Sequence, residues 1–383
     1  MKLSSSVLSA VAIGMAVFGG TNAQQNQPAC SSVYTRKELL SLTSYEWSLT
    51  KAVLSAMQRD GWFRWFANVH SNKFGQIHGN SQFFPFHRRF VYEWESVAKR
   101  YNSGYIQPYW DEMRDYRVPA SSQVLTPNWV GGNGVSPNWC VQNGNQAGWT
   151  MAYPSNHCFQ RNFGNNGNPT AWYSPEYIDS MIQRDTKMAD FRPGIEYSLH
   201  GIVHINIGGD MYQGYSPNDW IFMLHHANLD RLWWQWQMNG NLWTMDGPNY
   251  DNTNISLDSS MPQFGDAIRS VMQLGYGNMC YQYASNPLRR RTLDSGITQN
   301  LVSTLPKDVL KTWFPKTANT PEASNLIVAP HDTNGPSGQY IPYPAKITQD
   351  WIDMHYAKAD QVARVEKDAK DFVDAMRKAG YKS

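Results

Sequence analysis

The stretch His200-Gly-Ile-Val-His204, with the block Asp219-Trp-Ile-Phe-Met-Leu-His225-His226-Ala-Asn-Leu-Asp230-Arg231-Leu-Trp233 after it, decides the fold of this chain. Residues four apart on a helix stack on one face, about 6 Å apart along the axis. His200 and His204 can therefore share one ion, and His226 can complete a trigonal set. Two histidines on one helical face are weak evidence by themselves. Upstream lies a second triple, His70, His78 and His87, and His87 sits in another aromatic and arginine-rich segment, Phe83-Phe-Pro-Phe-His87-Arg-Arg-Phe-Val-Tyr-Glu93-Trp. Two triples point to two metal ions.

The surrounding periodicity is helical. Leu39, Leu42, Trp47, Leu49, Val53, Leu54 and Met57 recur every three to four residues between Thr35 and Asn68, with Gly61 as punctuation. Further helices are expected over Ser81 to Tyr101, Gly194 to Ile205 and Pro217 to Met238. The fold class expected is mainly α: a four-helix bundle with inward histidines, where bundles commonly build metal sites. Between Asn128 and Pro169, Gly, Asn and Pro predominate, and a long loop forming a wall of the site is expected there.

Residues 1–23 read as a secretory signal peptide: Lys2, an apolar run from Val7 to Phe18 too short to span a bilayer, and small residues at Thr21 and Ala23. The catalytic domain is expected over residues 24–285 and a C-terminal extension over 286–383. The extension would comprise an exit linker with Arg289-Arg-Arg291, strand-like pieces at Leu326 to Val328 and Tyr340 to Pro344, and a charged helix from Thr348 to Ala379. His331, His355 and His157 read as surface or internally satisfied histidines. A net charge of +2 with scattered Lys and Arg gives no basic stripe for nucleic acid, and no stretch suits a membrane span. Cys30, Cys140, Cys158 and Cys280 form an even set that fits two disulfides in an oxidising, extracellular compartment. Cys140 with Cys158 is the local pairing, leaving Cys30 for Cys280, although spacing alone leaves the connectivity open. Asn254-Ile-Ser256 is a glycosylation signal consistent with secretion.

Ligand chemistry narrows the metal. Imidazole suits copper, zinc, iron and nickel, with copper bound most strongly among the divalent ions. A blue-copper site needs cysteine, and all four cysteines lie outside the triples. The Glu-x-x-His pairing of di-iron bundles is missing, and Gly201 stands where the His-Glu-x-x-His zinc hydrolases place their base. Two all-histidine copper sites remain, an arrangement suited to binding dioxygen and passing its oxidising power to a phenol.

These residues resemble the type-3 copper proteins, and within them the short fungal-like tyrosinases and catechol oxidases. The likeness rests on His78 and His87, Phe86-His87-Arg-Arg, Pro108-Tyr-Trp-Asp111, Gly208-Gly209-x-Met211, His225-His226-Ala-Asn-Leu-Asp230-Arg-Leu-Trp and Tyr281-x-Tyr283, over residues 30–285. The resemblance implies that His70, His78 and His87 bind copper A, that His200, His204 and His226 bind copper B, and that His225 stands behind them. It implies that Phe83 and Phe222 pack on imidazoles, that Asp230 orients the copper B helix and that Glu196 holds a water near copper B. The stretch Gly208 to Ser216 is expected over the mouth of the site, with Gly214 leaving it open.

The chain also departs from the pattern. Gln76 stands where many relatives carry a thioether-forming cysteine, Trp220 replaces a proline, and Ile205 follows His204. Gly201 occupies the place of an asparagine that, with the glutamate, clamps a proton-accepting water in strong phenol hydroxylases. The resemblance thus implies an oxidase of o-diphenols to o-quinones with weak monophenol hydroxylation. A full tyrosinase or an o-aminophenol oxidase is the alternative. A haemocyanin-like dioxygen carrier is the non-enzymatic reading, distinguished by whether phenols reach the coppers.

Overall fold

The structure, a computed structural model, describes residues 27–284, 305–319 and 340–382. The expected signal peptide, the Arg289–Arg291 linker, Leu326 to Val328 and His331 lie outside the described residues.

The helices that carry the site form where the sequence supplies both a start signal and an apolar stripe. Helix α1 (Ser44–Arg59) opens on a capping box, with Thr43 and Glu46 satisfying each other's backbone N–H groups. Gly61, at φ 81°, ends the intervening turn and lets α2 (Trp62–Ile77) begin. The single helical region expected up to Asn68 is therefore two helices, and α2 continues past it. Its buried stripe of Phe63, Phe66, Ala67, His70, Phe74 and Ile77 turns His70 inward with the apolar side chains. His78 closes α2 in an extended conformation. Helix α3 (Phe83–Tyr101) buries Phe83, Phe86, His87, Phe90 and Trp94 on one side and ends with Lys99 and Arg100 in its last turn, favourable at that end of the dipole.

Helix α4 (Pro175–Arg184) precedes α5 (Met188–Ile195). A π-turn over Glu196–His200 then leads into α6 (Gly201–Ile207), so the helix expected from Gly194 is interrupted at the first histidine. Such wide turns commonly mark functional positions. Helix α7 (Ile221–Trp236) is buried nearly all round, as befits the central helix of the core, and it packs on α3. The described part of the molecule is mainly α, with helices α2, α3, α6 and α7 bringing the histidines together.

Two small pairings close the core. Strand β1 (Tyr34–Arg36) runs parallel to β4 (Tyr281–Tyr283), and the Cys30–Cys280 disulfide lies beside them. Between them, β2 (Thr150–Met151) and β3 (His157–Cys158) form an antiparallel pair in the long loop that Cys140–Cys158 closes. Both disulfides join the expected partners. Asp230 of α7 accepts hydrogen bonds from Arg88 of α3, from Tyr281 at 2.6 Å and from Tyr283 at 2.5 Å, with Arg36 at 3.5 Å. One buried carboxylate thereby fastens α7 to α3 and to β4.

The C-terminal region departs furthest from expectation. The charged helix foreseen from Thr348 to Ala379 is two helices, α9 (Gln349–Met354) and α10 (Ala359–Lys378), after a short α8 (Lys307–Trp313). The break holds Tyr356 at φ 51°. In place of the strand-like piece expected over Tyr340 to Pro344, Tyr340 forms an isolated bridge to Lys382. No helix of the described residues is long and apolar enough to cross a membrane.

Candidate metal centre

The ligand atoms of His70, His78 and His87 all lie within 4.8 Å of one another, and so do those of His200, His204, His225 and His226. Each sequence triple is brought together, and His225 joins the second group. The groups meet where His87 and His226 stack with ring centroids 4.1 Å apart, and where His78 lies 5.7 Å from His200.

Local bonding fixes the rings. His78 Nδ1 bonds to Phe74 O at 3.1 Å, His87 Nδ1 to Phe83 O at 2.7 Å and His200 Nδ1 to Glu196 O at 3.2 Å, each one turn back along the chain. His70 Nδ1 bonds instead to Gly214 O at 2.7 Å, and His204 Nδ1 to Met211 O at 2.6 Å. A carbonyl acceptor makes Nδ1 the protonated nitrogen and leaves the Nε2 lone pair for a metal. His200 Nε2, His204 Nε2 and both nitrogens of His226 are buried without a hydrogen-bond partner among the described residues. Buried polar atoms left open in this way are costly unless something binds them.

Burial keeps the imidazoles neutral. It lowers His70 and His204 to about 3, and it lowers His78, His87, His200 and His226 well below the ordinary imidazole value, with neighbouring imidazoles adding to the effect. Neutral imidazole is the form that binds metal. Six or more neutral nitrogens with no cysteine or carboxylate among them fit copper.

Around these rings the expected packing is present. Phe83 lies 4.9 Å from His87 and 4.8 Å from His200, while Phe222 lies 4.9 Å from His70 and 4.1 Å from His226. Glu196 is buried: Oε2 accepts from Arg192 at 2.6 Å and Oε1 from the Gly79 N–H at 2.8 Å. Burial raises its carboxyl and Arg192 opposes that. The carboxylate thus ties the segment after His78 to the π-turn before His200.

Three features escaped sequence reading. His225 Nδ1 bonds to Glu112 Oε1 at 2.6 Å, and Asn228 donates to the other oxygen. Burial raises Glu112 and lowers His225 to about 3, which favours a neutral pair. Glu112 directly follows Pro108-Tyr-Trp-Asp111, the only sequence clue to it. His157, read as a bland loop histidine, bonds to Asp210 at 2.7 Å.

His355, read in the same way, is buried against the site. It stacks on Trp351 at 3.6 Å and lies 4.7 Å from Phe74, 5.2 Å from His78 and 6.1 Å from His200. The C-terminal segment therefore forms a wall of the centre. A side chain at Gly201 would meet Ile347 Cδ1 at 2.7 Å and the Trp351 ring at 3.1 Å, so the space an asparagine would need is filled. Gly214 faces Phe74 and Ser71 of α2, and the turn around it supports His70 and His204 from behind.

Comparison with known proteins agrees with this geometry. Residues 60–239 match the common central domain of tyrosinase. A tyrosinase of Streptomyces antibioticus is 31% identical over 227 residues, covering 53% of this chain and 82% of that protein. A tyrosinase of Aspergillus flavus is 29% identical over 303 residues, covering 70% and 84%. A tyrosinase-like protein of Diaporthe leptostromiformis is 29% identical over 247 residues, and this chain spans only 62% of its length. A polyphenol oxidase variant of Thermothelomyces thermophila shares the fold, with a TM-score of 0.58 and 22% identity over 66% of this chain and 89% of that one. The identity to the Streptomyces tyrosinase over most of that protein's length establishes that this chain belongs to the tyrosinase family, whose centre is a pair of copper ions.

Proposed function

We propose that His70, His78 and His87 hold one copper and that His200, His204 and His226 hold the other, in a catalytic domain over residues 24–285 of a secreted protein. The observation that carries this is the meeting of two buried, neutral imidazole sets, with Nε2 of His200, His204 and His226 left without a partner and Nε2 of His70 and His87 facing each other at 3.4 Å. His226 is preferred to His225 because its ring lies against His87, Phe83 and Phe222, between the two sets. His225's nearest site rings are His226, His204 and His200, all in its own set. Two disulfides support an oxidising compartment.

The reaction proposed is oxidation of o-diphenols to o-quinones. Each diphenol gives up two electrons and two protons, and two diphenols reduce one dioxygen to two waters. Bound copper supplies the electron transfer between phenol and dioxygen. The chain's own residues keep the imidazoles neutral, fix five of the six rings through Nδ1 and the sixth, His226, by packing against His87 and Phe222, and exclude water with Phe83 and Phe222. Monophenols face an added demand, because deprotonating a phenol of pKa about 10 costs roughly 4 kcal/mol at pH 7. Glu196 has an existing donor on each oxygen, and Gly201 offers no side chain to complete a water clamp beside it. Both support weak monophenol hydroxylation.

Initial rates of oxygen uptake with catechol, dopamine and tyramine on copper-loaded protein test the reading. Rapid quinone formation from the two diphenols and slow or lagging turnover of tyramine are expected. Reversible oxygen binding without quinone would replace the oxidase with a dioxygen carrier, and equal rates on dopamine and tyramine would make it a full tyrosinase.

A further inference from the structure

His78, His87 and His200 take their Nδ1 acceptors from carbonyls one turn back in their own segments, so the local fold orients them. His70 and His204 do not. Their acceptors, Gly214 O and Met211 O, belong to one short connection between α6 and α7, built of a 3-10 turn over Gly209–Tyr212 and the residues after it. That connection holds one histidine of each set, and any shift of it moves both rings.

What fixes the turn is mainly Asp210. Its side chain is buried, with Oδ1 accepting from His157 Nε2 at 2.7 Å and from Asn218 Nδ2 at 3.1 Å, and Oδ2 accepting from the Gln160 N–H at 2.8 Å. The Asp210 N–H donates back to Gln160 O at 3.0 Å. Just before it, Gly208 and Gly209 have φ of 63° and 56°, and a side chain on them would reach within 2.0 Å of Asn162 O and 2.3 Å of Gln160 O. The turn is thereby pressed onto residues 157–162, beside Cys158 and its bond to Cys140.

We infer that Asp210 is a positioning residue for both copper sites: by locking the turn onto the disulfide-closed loop, it sets His70 and His204, and hence the two metal positions, in one frame. This rests on the ligand assignment proposed above. Partners that orient metal-binding histidines typically change metal affinity or activity about 10–100-fold when removed. Because one residue serves both sets, its loss should weaken both ions together, unlike loss of a ligand, which strips one.

The test is copper-loaded full-length protein carrying Asp210→Ala or, as a milder change, His157→Ala, titrated with a chelator and observed by electron paramagnetic resonance. Two coppers held close together couple and are silent, whereas a displaced pair gives a signal. The folded Asp210→Ala protein should release both coppers at about 10–100-fold lower chelator concentration and show a copper signal at full loading, with His157→Ala shifted less in the same direction. Met57→Ala, a buried change in α1 chosen as a stability control, should leave the pair silent. Should Asp210→Ala fail to fold, His157→Ala alone decides. Wild-type affinity and silence in the folded variants, or loss of a single ion, would overturn the inference while leaving the ligand assignment standing. Wild-type protein that takes up no copper pair would instead overturn the assignment and the inference with it.

Discussion

His355 of the C-terminal segment lies edge-on to His78 of the first histidine set, with ring centroids 5.2 Å apart and planes at 86°. Trp351 backs it at 3.6 Å and also approaches His200 at 5.9 Å. The face of the centre over His78 and His200 is therefore built by residues far along the chain.

A smaller side chain there should widen the site. His355→Ala is expected to lower KM for a bulky catechol such as 4-tert-butylcatechol severalfold while changing that for catechol less. Steady-state kinetics on both substrates check this, and equal changes would mean that substrates do not approach past His355.

Gly201 packs directly beneath this segment. Gly201→Asn should overpack it, costing about 1–3 kcal/mol in stability, and Ile347→Ala in the same chain should recover part of that loss. Urea unfolding of the single and double variants measures it. A neutral single variant would show that the segment shifts freely.

The histidine triples and the bundle were legible because their signals are local, motif spacing and a helical stripe; the even cysteine set gave two disulfides, with Cys140–Cys158 as the local pair and Cys30–Cys280 as the remainder. Asp230 also carried a local clue in its motif, and the structure shows how it acts, through Arg88, Tyr281 and Tyr283. His355 was not legible. Its four-residue spacing from Trp351 looks like any amphipathic turn, and its neighbours Phe74 and His78 lie in α2 and at its C-terminal cap, at the other end of the chain. The end of α2 was misjudged because His70 and His78 interrupt an apolar stripe that their burial in fact continues. Glu112 and Asp210 lie beside or within quoted motifs, but their roles were not legible, since a carboxylate's partner is set by tertiary packing.

Asp230→Ala should be among the most damaging changes outside the ligands. It leaves Arg88 buried without its carboxylate and frees two tyrosine hydroxyls, a loss of about 3–5 kcal/mol. Denaturant midpoints compared with those of Lys346→Ala, a change at an exposed side chain, measure it. A loss below that of a surface substitution would contradict the role given to this carboxylate.

The metal-free chain should be acid-labile in a defined window. Unfolded imidazoles take up protons as pH falls through about 6.5, whereas burial holds His70 and His204 neutral down to about 3. Between those values the unfolded state binds more protons, so stability is fully present above 6.5 and declines as pH falls toward 3. Copper, which binds the neutral native site, should move the loss to lower pH. Urea midpoints from pH 8 to pH 4, with and without copper, test the sign, and a flat profile for the metal-free chain would refute it.

The most direct test of the account is copper content beside activity in His87→Ala and His226→Ala, one variant from each histidine set. Two imidazoles hold copper poorly, so each folded variant should retain about one copper per chain, by the ligand count of a trigonal site, and form no quinone from catechol. Two tightly held coppers with wild-type quinone formation in either variant would contradict the assignment of the paired centre.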